Sequence, residues 1–140
     1  MAATVLLFGI SDEERRKEIF RALLPLRFSI KVVRPEDYAQ PLGVLAGVKG
    51  MEPVDTPYEG EELPGEMLLM AGMTGGQIDQ LLAAFRSKKL PPVQLKAVLT
   101  STNQHWKAPA LFAELSEEHA YMTSHFKGKY KHQPSPEEKP

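Results

Sequence analysis

The sequence predicts an α/β domain built from two successive β-α-β-α units. Two continuous apolar runs, TVLLF near the start and EMLLM at 66–70, are each followed by a glycine-containing turn and then by a segment with helical spacing. Each of those segments leads through a proline-marked break into a second, shorter apolar segment. This alternation is typical of a sheet whose neighbouring strands are joined by helical crossovers.

The two long apolar runs are expected at the centre of the sheet, because an uninterrupted apolar strand needs cover on both faces. Segments 28–33 and 94–99 carry polar residues at alternate positions, as edge strands do. The prediction is a small, four-stranded, mainly parallel sheet of order 2-1-3-4. Right-handed crossovers would then place the two internal helices on opposite faces. A ferredoxin-like α+β sandwich is the alternative, although it would leave one sheet face open.

The two halves of the chain also correspond at individual positions. In each half, a lysine that interrupts the second strand is followed by an aromatic residue and then by a proline. These residues are Lys31, Tyr38 and Pro41 in the first half, and Lys96, Trp106 and Pro109 in the second. We interpret the pattern as a diverged internal duplication, with pseudo-repeats at 3–48 and 66–126 inside a single domain over 1–126.

Three helices are predicted from the spacing of apolar residues. All three have apolar side chains three and four positions apart, and the third stripe includes a histidine that we expect in or beside the core. The stripes are Ile19, Phe20, Leu23 and Leu24; Ile78, Leu81, Leu82 and Phe85; and Leu111, Leu115, His119, Met122 and Phe126.

Two segments lack such spacing. Residues 49–65 are acidic and rich in proline and glycine, which predicts a solvated linker or a long loop. Residues 127–140 offer little to bury, and we expect a disordered tail with a small basic patch.

Composition excludes several classes of function. The formal net charge of −1 gives no overall field for nucleic acid or an anionic membrane, so nucleic-acid binding is disfavoured. The absence of cysteine removes disulfides, thiolate nucleophiles and cysteine-ligated zinc, and the histidine spacing predicts no metal site. No cofactor motif is present. We expect neither a signal peptide nor a membrane span, and the prediction is a cytoplasmic protein.

The stretch GMTGGQ at 72–77 can be interpreted in two ways. Thr74 and Gln77 have the spacing of a helix capping box, and Ser11 with Glu14 repeats that spacing in the first half. A phosphate-binding loop would need a lysine followed by serine or threonine, and neither is present. We therefore favour a helix cap over an anion site.

The competing hypothesis is a ligand site in the crevice between strands 1 and 3. In open α/β sheets, ligands bind beyond the carboxyl ends of strands where the strand order reverses. The turns that begin at Ser11 and Thr74 would flank this crevice. The residues predicted to contact a ligand are Ser11, Thr74, Gly75, Gly76, Thr100, Thr102 and Asn103.

The stretch LKAVLTSTNQHW at 95–106, followed by a helix containing ELSEEHAYM, resembles a bacterial family known only as a domain of unknown function, DUF3783. The resemblance covers residues 66–122, and the recurring positions correspond to Thr102, Asn103 and Trp106. It implies a fold and a family but no reaction.

The same residues also have a structural interpretation. Asn103 can bond the backbone of the turn that leaves strand 4 and cap the short helical turn after it, and Trp106 can anchor that turn on the core. His105 beside it could act as a base, but no nucleophile is identifiable near it. An exposed Trp106 would instead indicate an interface.

The sequence therefore predicts a protein that is not an enzyme, and most simply a non-catalytic binding or regulatory module. A small-molecule-binding domain or enzyme that uses the crevice is one alternative. A homodimer formed through the C-terminal helix is another, because the short edge strands each carry a lysine that discourages pairing.

Overall fold

A computed structural model of the protein describes residues 2–126, with side chains as far as residue 122. The predicted disordered tail, 127–140, lies outside the described residues, as does the side chain of Phe126. The strands are β1 (Thr4–Phe8), β2 (Ser29–Val32), β3 (Met67–Ala71) and β4 (Leu95–Val98). The α-helices are α1 (Glu13–Leu23), α2 (Leu42–Ala46), α3 (Gly75–Ser87) and α4 (Ala108–Phe126), with 3-10 turns at Leu24–Leu26, Pro35–Asp37 and Asn103–His105.

The four strands form one sheet of order β2-β1-β3-β4, which confirms the predicted order and the α/β class. The outer pairs, β1 with β2 and β3 with β4, are parallel. The central pair is antiparallel, with Leu6 opposite Leu69. The sheet is therefore mixed, although most of its pairs are parallel.

The segment between β2 and β3 explains why the central pair is antiparallel. Met51, at its start, packs against Gly43, where an added Cβ would lie 2.2 Å from the Met51 sulfur. At its end, the Gly65 carbonyl lies close behind Gly9, just after β1. The segment thus returns the chain to the end of the sheet where the carboxyl ends of β1 and β2 lie. Strand β3 starts at that end and therefore runs antiparallel to β1.

This reversal also changes where the helices lie. Helices α1 and α3 pack on the same face, around Ile19, Leu23, Leu81 and Phe85, and α2 and α4 cover the other face with Tyr38 and Leu42. The expectation that the internal helices take opposite faces is wrong. A right-handed crossover from β1 to β2 and another from β3 to β4 place their helices on the same face of the sheet. The reason is that β1 and β3 run antiparallel and the two crossovers lead toward opposite edge strands.

The lysines of the edge strands do not occupy equivalent positions. Lys31 pairs with Leu6, whereas Lys96 pairs with Leu68. The Lys31 ammonium donates to the Leu45 carbonyl on the α2 side at 3.4 Å, and the Lys96 ammonium donates to the Val93 carbonyl at 2.7 Å. Val93 belongs to the core on the α1 side. The two lysines, which we matched in the sequence, therefore differ by one residue in their position along the strand and point to opposite faces of the sheet.

The first helix buries a different stripe from the one predicted. Ile19, Ala22 and Leu23 are buried, but Phe20 is 39% exposed and Leu24 is 74% exposed. The stripe of α3 is confirmed, with Leu81 and Phe85 buried in its centre.

Candidate binding surface

The glycine-rich turn before α3 is a helix cap, as predicted. The Gln77 backbone N–H donates to Thr74 Oγ1 at 3.1 Å, and the Thr74 N–H donates to Gln77 Oε1 at 2.9 Å. Gly75 and Gly76 form the first turn of α3 and are exposed. Both polar side chains are thus engaged in the reciprocal capping box. That these residues also bind an anion stays a prediction.

Asn103 holds the turn that leaves β4. Its Oδ1 accepts from the Thr100 N–H at 2.8 Å, and its Nδ2 donates to the Val98 carbonyl at 3.0 Å. The Thr100 hydroxyl accepts from the Asn103 N–H at 3.0 Å, so Thr100 rather than Asn103 satisfies the first N–H of the 3-10 turn. Asn103 is buried and Thr102 is exposed. The prediction that Asn103 bonds the backbone of this turn is confirmed. The prediction that Asn103 caps the 3-10 turn is wrong, because the Thr100 hydroxyl makes that bond.

The residues predicted to share one crevice lie at opposite ends of the strands. Ser11 follows β1 and Thr74 follows β3. Because these strands are antiparallel, their carboxyl ends lie at opposite ends of the sheet. Because β3 and β4 are parallel, Thr74 lies at the same end of the sheet as Thr100, Thr102 and Asn103. The crevice between strands 1 and 3 is therefore not formed. Ser11 is not the cap of α1 either: Asp12 is, accepting from the Glu14 N–H at 3.0 Å.

The aromatic residue after β4 packs against the core and is not fully exposed. Trp106 is half-buried against the α2 side, and its carbonyl accepts from the Leu42 N–H at 2.8 Å, which ties α2 to this turn. The expectation that Trp106 anchors the turn agrees with this packing. His105 is exposed, and its ring lies 3.4 Å from the Gln104 amide nitrogen.

Helix α4 is longer than the sheet that it covers. Its 19 residues span about 28 Å at 1.5 Å per residue, whereas a five-residue strand spans about 17 Å. Leu111 is buried and Leu115 half-buried, but His119 is exposed and Met122 is only partly covered. The expectation that His119 lies in or beside the core is wrong, because the helix has passed beyond the core at that point.

One side of this projecting part of α4 forms a shallow groove of about 480 Å³. Tyr121, which is 54% exposed, and Met122, which is half-buried, lie at its C-terminal end. Three glutamates lie one to two turns before these side chains, toward the start of the helix. We call this surface the α4 groove; its residues are Glu114, Glu117, Glu118, Tyr121 and Met122.

The sequence carrying this groove matches a known family model. Residues 66–122 match the model described as "Domain of unknown function (DUF3783)". Residues 66–122 belong to the DUF3783 family. No curated protein and no solved structure matches the chain. The DUF3783 segment comprises β3, α3, β4 and most of α4, and it includes the whole α4 groove.

The DUF3783 segment is joined to the first half of the chain by an ion pair. Arg15 Nη2 donates to Glu66 Oε1 at 2.9 Å, and Arg15 Nε donates to Glu66 Oε2 at 3.1 Å. The pair lines a cleft of about 540 Å³ together with His119 and Ser116 of α4. Both Arg15 nitrogens that face Glu66 are engaged, and Nη1 is buried without a hydrogen-bond partner among the described residues. Arg15 therefore keeps one buried donor nitrogen unengaged beside the cleft.

A second contact fixes the acidic loop in front of the DUF3783 segment. The buried Tyr38 hydroxyl donates to Glu62 Oε1 at 2.5 Å, and the Leu63 N–H donates to the same oxygen at 2.7 Å. Burial raises the pKa of Tyr38, and the hydrogen bond to the Glu62 carboxylate raises it further. Gln40 exchanges two hydrogen bonds with Val54. Residues 49–65 are therefore attached to the domain at several points instead of forming a separate linker.

Charge is separated between the two sides of the sheet. On the α1 side, three basic residues and one acidic residue line a groove of about 440 Å³ beside the exposed Phe20; they are Arg16, Lys17, Arg21 and Glu13. On the opposite side, residues 99–122 of the DUF3783 segment carry three glutamates against a single lysine, and the acidic loop joins them there.

Sequence reasoning missed these features for identifiable reasons. Arg15 lies four residues before Ile19, on the buried side of α1. A charged residue on a buried helix face predicts an ion pair, so the sequence could have indicated that Arg15 has a carboxylate partner. Nothing in the sequence pointed from Tyr38 to Glu62. Among residues 2–126, no group of three or more histidine or acidic side chains could hold a metal ion, and no helix there is long and apolar enough to cross a membrane.

Proposed function

We propose that the protein is a non-catalytic binding module that recognises another protein through the α4 groove. The observation that carries the proposal is the length of α4. The C-terminal part of α4 continues past the end of the sheet, where Met122 of the stripe is half-buried and Tyr121, beside the stripe, is exposed. An exposed aromatic side chain next to a methionine on a rigid helix is a common arrangement at protein interfaces.

The polar residues considered for ligand binding support the same proposal. Thr74, Thr100 and Asn103 are engaged in local hydrogen bonds, and the crevice that would have combined them with Ser11 does not form. The described residues present no nucleophile held by a base. A small-molecule site or an enzyme would need side chains directed into a shared pocket.

The proposal includes a cytoplasmic location, supported by the lack of cysteine, and an origin of the two halves by duplication. Apart from an additional 3-10 turn at Leu24–Leu26 in the first half, both halves have the same order of strand, helix, strand, 3-10 turn and helix. In the second half the final helix is much longer than its counterpart α2. We therefore assign binding to the element in which the halves differ most.

Site-specific photo-cross-linking tests this function. A photoreactive phenylalanine analogue replaces Tyr121 in one variant and the exposed Gln80 of α3 in a matched control. In cells that make the protein, we expect a discrete cross-linked product at position 121 and none at 80. The captured protein is identified and the complex is reassembled from purified components. Equal products at both positions, or none at 121, would contradict the proposal.

A further inference from the structure

We infer that the occupant of the α4 groove is a basic amphipathic segment of a partner protein, with an apolar side chain on Tyr121 and Met122 and lysine or arginine at its flanks. The inference rests on the proposed function and names the chemistry of the partner. It follows from the charges that surround the groove.

Glu114, Glu117 and Glu118 lie along one side of α4 and form no ion pair among residues 2–122, whose side chains the structure describes. Glu114 and Glu118 are four residues apart, about 6 Å along the helix axis. Like charges at this spacing repel one another. A partner with cationic side chains at a matching separation would relieve the repulsion and gain opposite-charge contacts at the rim.

The same charges exclude other classes of partner. Nucleic acids and anionic membrane surfaces are repelled by an acidic surface. Divalent cations lack a site, since the described residues contain no suitable cluster. A basic segment with one apolar anchor would pair with the glutamates and pack its anchor on Tyr121 and Met122.

A second copy of the chain is a competing occupant. The groove beside Phe20 has the opposite net charge, because Arg16, Lys17 and Arg21 outnumber the single acidic residue there, Glu13. Such a contact would be heterologous, because the two surfaces differ, and would extend into chains or rings as concentration rises. We favour a separate partner because a contact of that kind does not close into a dimer.

The test uses the full chain, labelled with ¹⁵N, and two synthetic helical peptides at 0.15 M salt. One peptide is built from leucine and lysine, and the other carries glutamate in place of each lysine. We expect the lysine peptide to shift amide resonances of residues 114–122 and the glutamate peptide to leave them unchanged. Raising the salt concentration should weaken binding, because exposed charges are screened within about 8 Å at 0.15 M.

Matched variants then assign the charge dependence. Glu117→Gln combined with Glu118→Gln should weaken binding of the lysine peptide about tenfold, as expected for the loss of two exposed ion pairs. Glu13→Gln combined with Glu14→Gln removes an adjacent exposed pair from α1 and should change affinity less than about twofold.

Each other outcome overturns the inference in a distinguishable way. Equal binding of both peptides at 114–122 would show that the groove accepts apolar segments of any charge, and the proposed function would stand. If neither peptide bound, the inference that the partner is basic would be wrong. The cross-linking at Tyr121 would then show separately whether any protein binds the α4 groove. Shifts of the same resonances with protein concentration alone would identify a second copy as the occupant.

Discussion

Replacing Asn103 with alanine tests whether this side chain is structural. The substitution removes the acceptor for the Thr100 N–H at 2.8 Å and the donor to the Val98 carbonyl at 3.0 Å. Each bond contributes about 1 kcal/mol, and groups that remain buried without partners add a further cost. Because Asn103 is only 9% exposed, we expect a loss of about 2–3 kcal/mol in the free energy of unfolding.

The assay is urea unfolding followed by circular dichroism and by fluorescence of Trp106, the single tryptophan, which packs against the same core. The expected loss corresponds to a fall in Tm of about 6–10 °C for a domain of this size. Asn103→Asp is the matched control: it keeps the acceptor but places an oxygen opposite the Val98 carbonyl, and should lose at least about 1 kcal/mol. Wild-type stability in both variants would refute the reasoning and return Asn103 to the candidate ligand-binding residues.

Three further predictions concern the same fold. Thr74→Ala should cost about 1 kcal/mol in unfolding free energy, because the cap of α3 is lost, whereas no change would remove the capping box as a stabilising feature. Gly9→Ala should cost several times more than Gly47→Ala in urea unfolding: both positions have positive φ, but only at Gly9 would the new Cβ meet a backbone atom, the Gly65 carbonyl oxygen, at 2.1 Å. Tyr38 has a raised pKa in the folded chain, so above about pH 10 the unfolded chain loses this proton first and stability falls by up to about 1.4 kcal/mol per pH unit. Tyr38→Phe lacks that loss, so its stability deficit relative to wild type should shrink between pH 9 and pH 11; a constant deficit would contradict the assignment.

The elements and their order could be predicted because hydrophobic patterning is local. The continuous runs in β1 and β3 required burial on both faces, and alternating polarity marked β2 and β4 as edges. Strand direction could not be predicted in the same way, because a strand buried on both faces has the same pattern whichever way it runs. The direction of β3 depends on the course of residues 49–65, where no periodic pattern exists.

The candidate site was harder to predict for the same reason. The capping box of Thr74 involves residues three positions apart and is visible in the sequence. The crevice depended on β1 and β3 running in parallel, so its prediction failed with the strand direction. The α4 groove depends on where the sheet ends beneath a continuous stripe. The stripe itself predicted burial for His119, and only the length of the strands shows that the helix outruns them.

The most direct test of the account is the affinity of the complex reassembled from the protein and its cross-linked partner. Tyr121→Ala should raise the Kd at least about tenfold, because exposed aromatic residues at the centre of an interface supply much of its binding energy. Gln80→Ala, on the opposite face, should leave the Kd unchanged. An unchanged Kd for Tyr121→Ala, with the variant folded, would contradict the claim that the α4 groove is the binding surface.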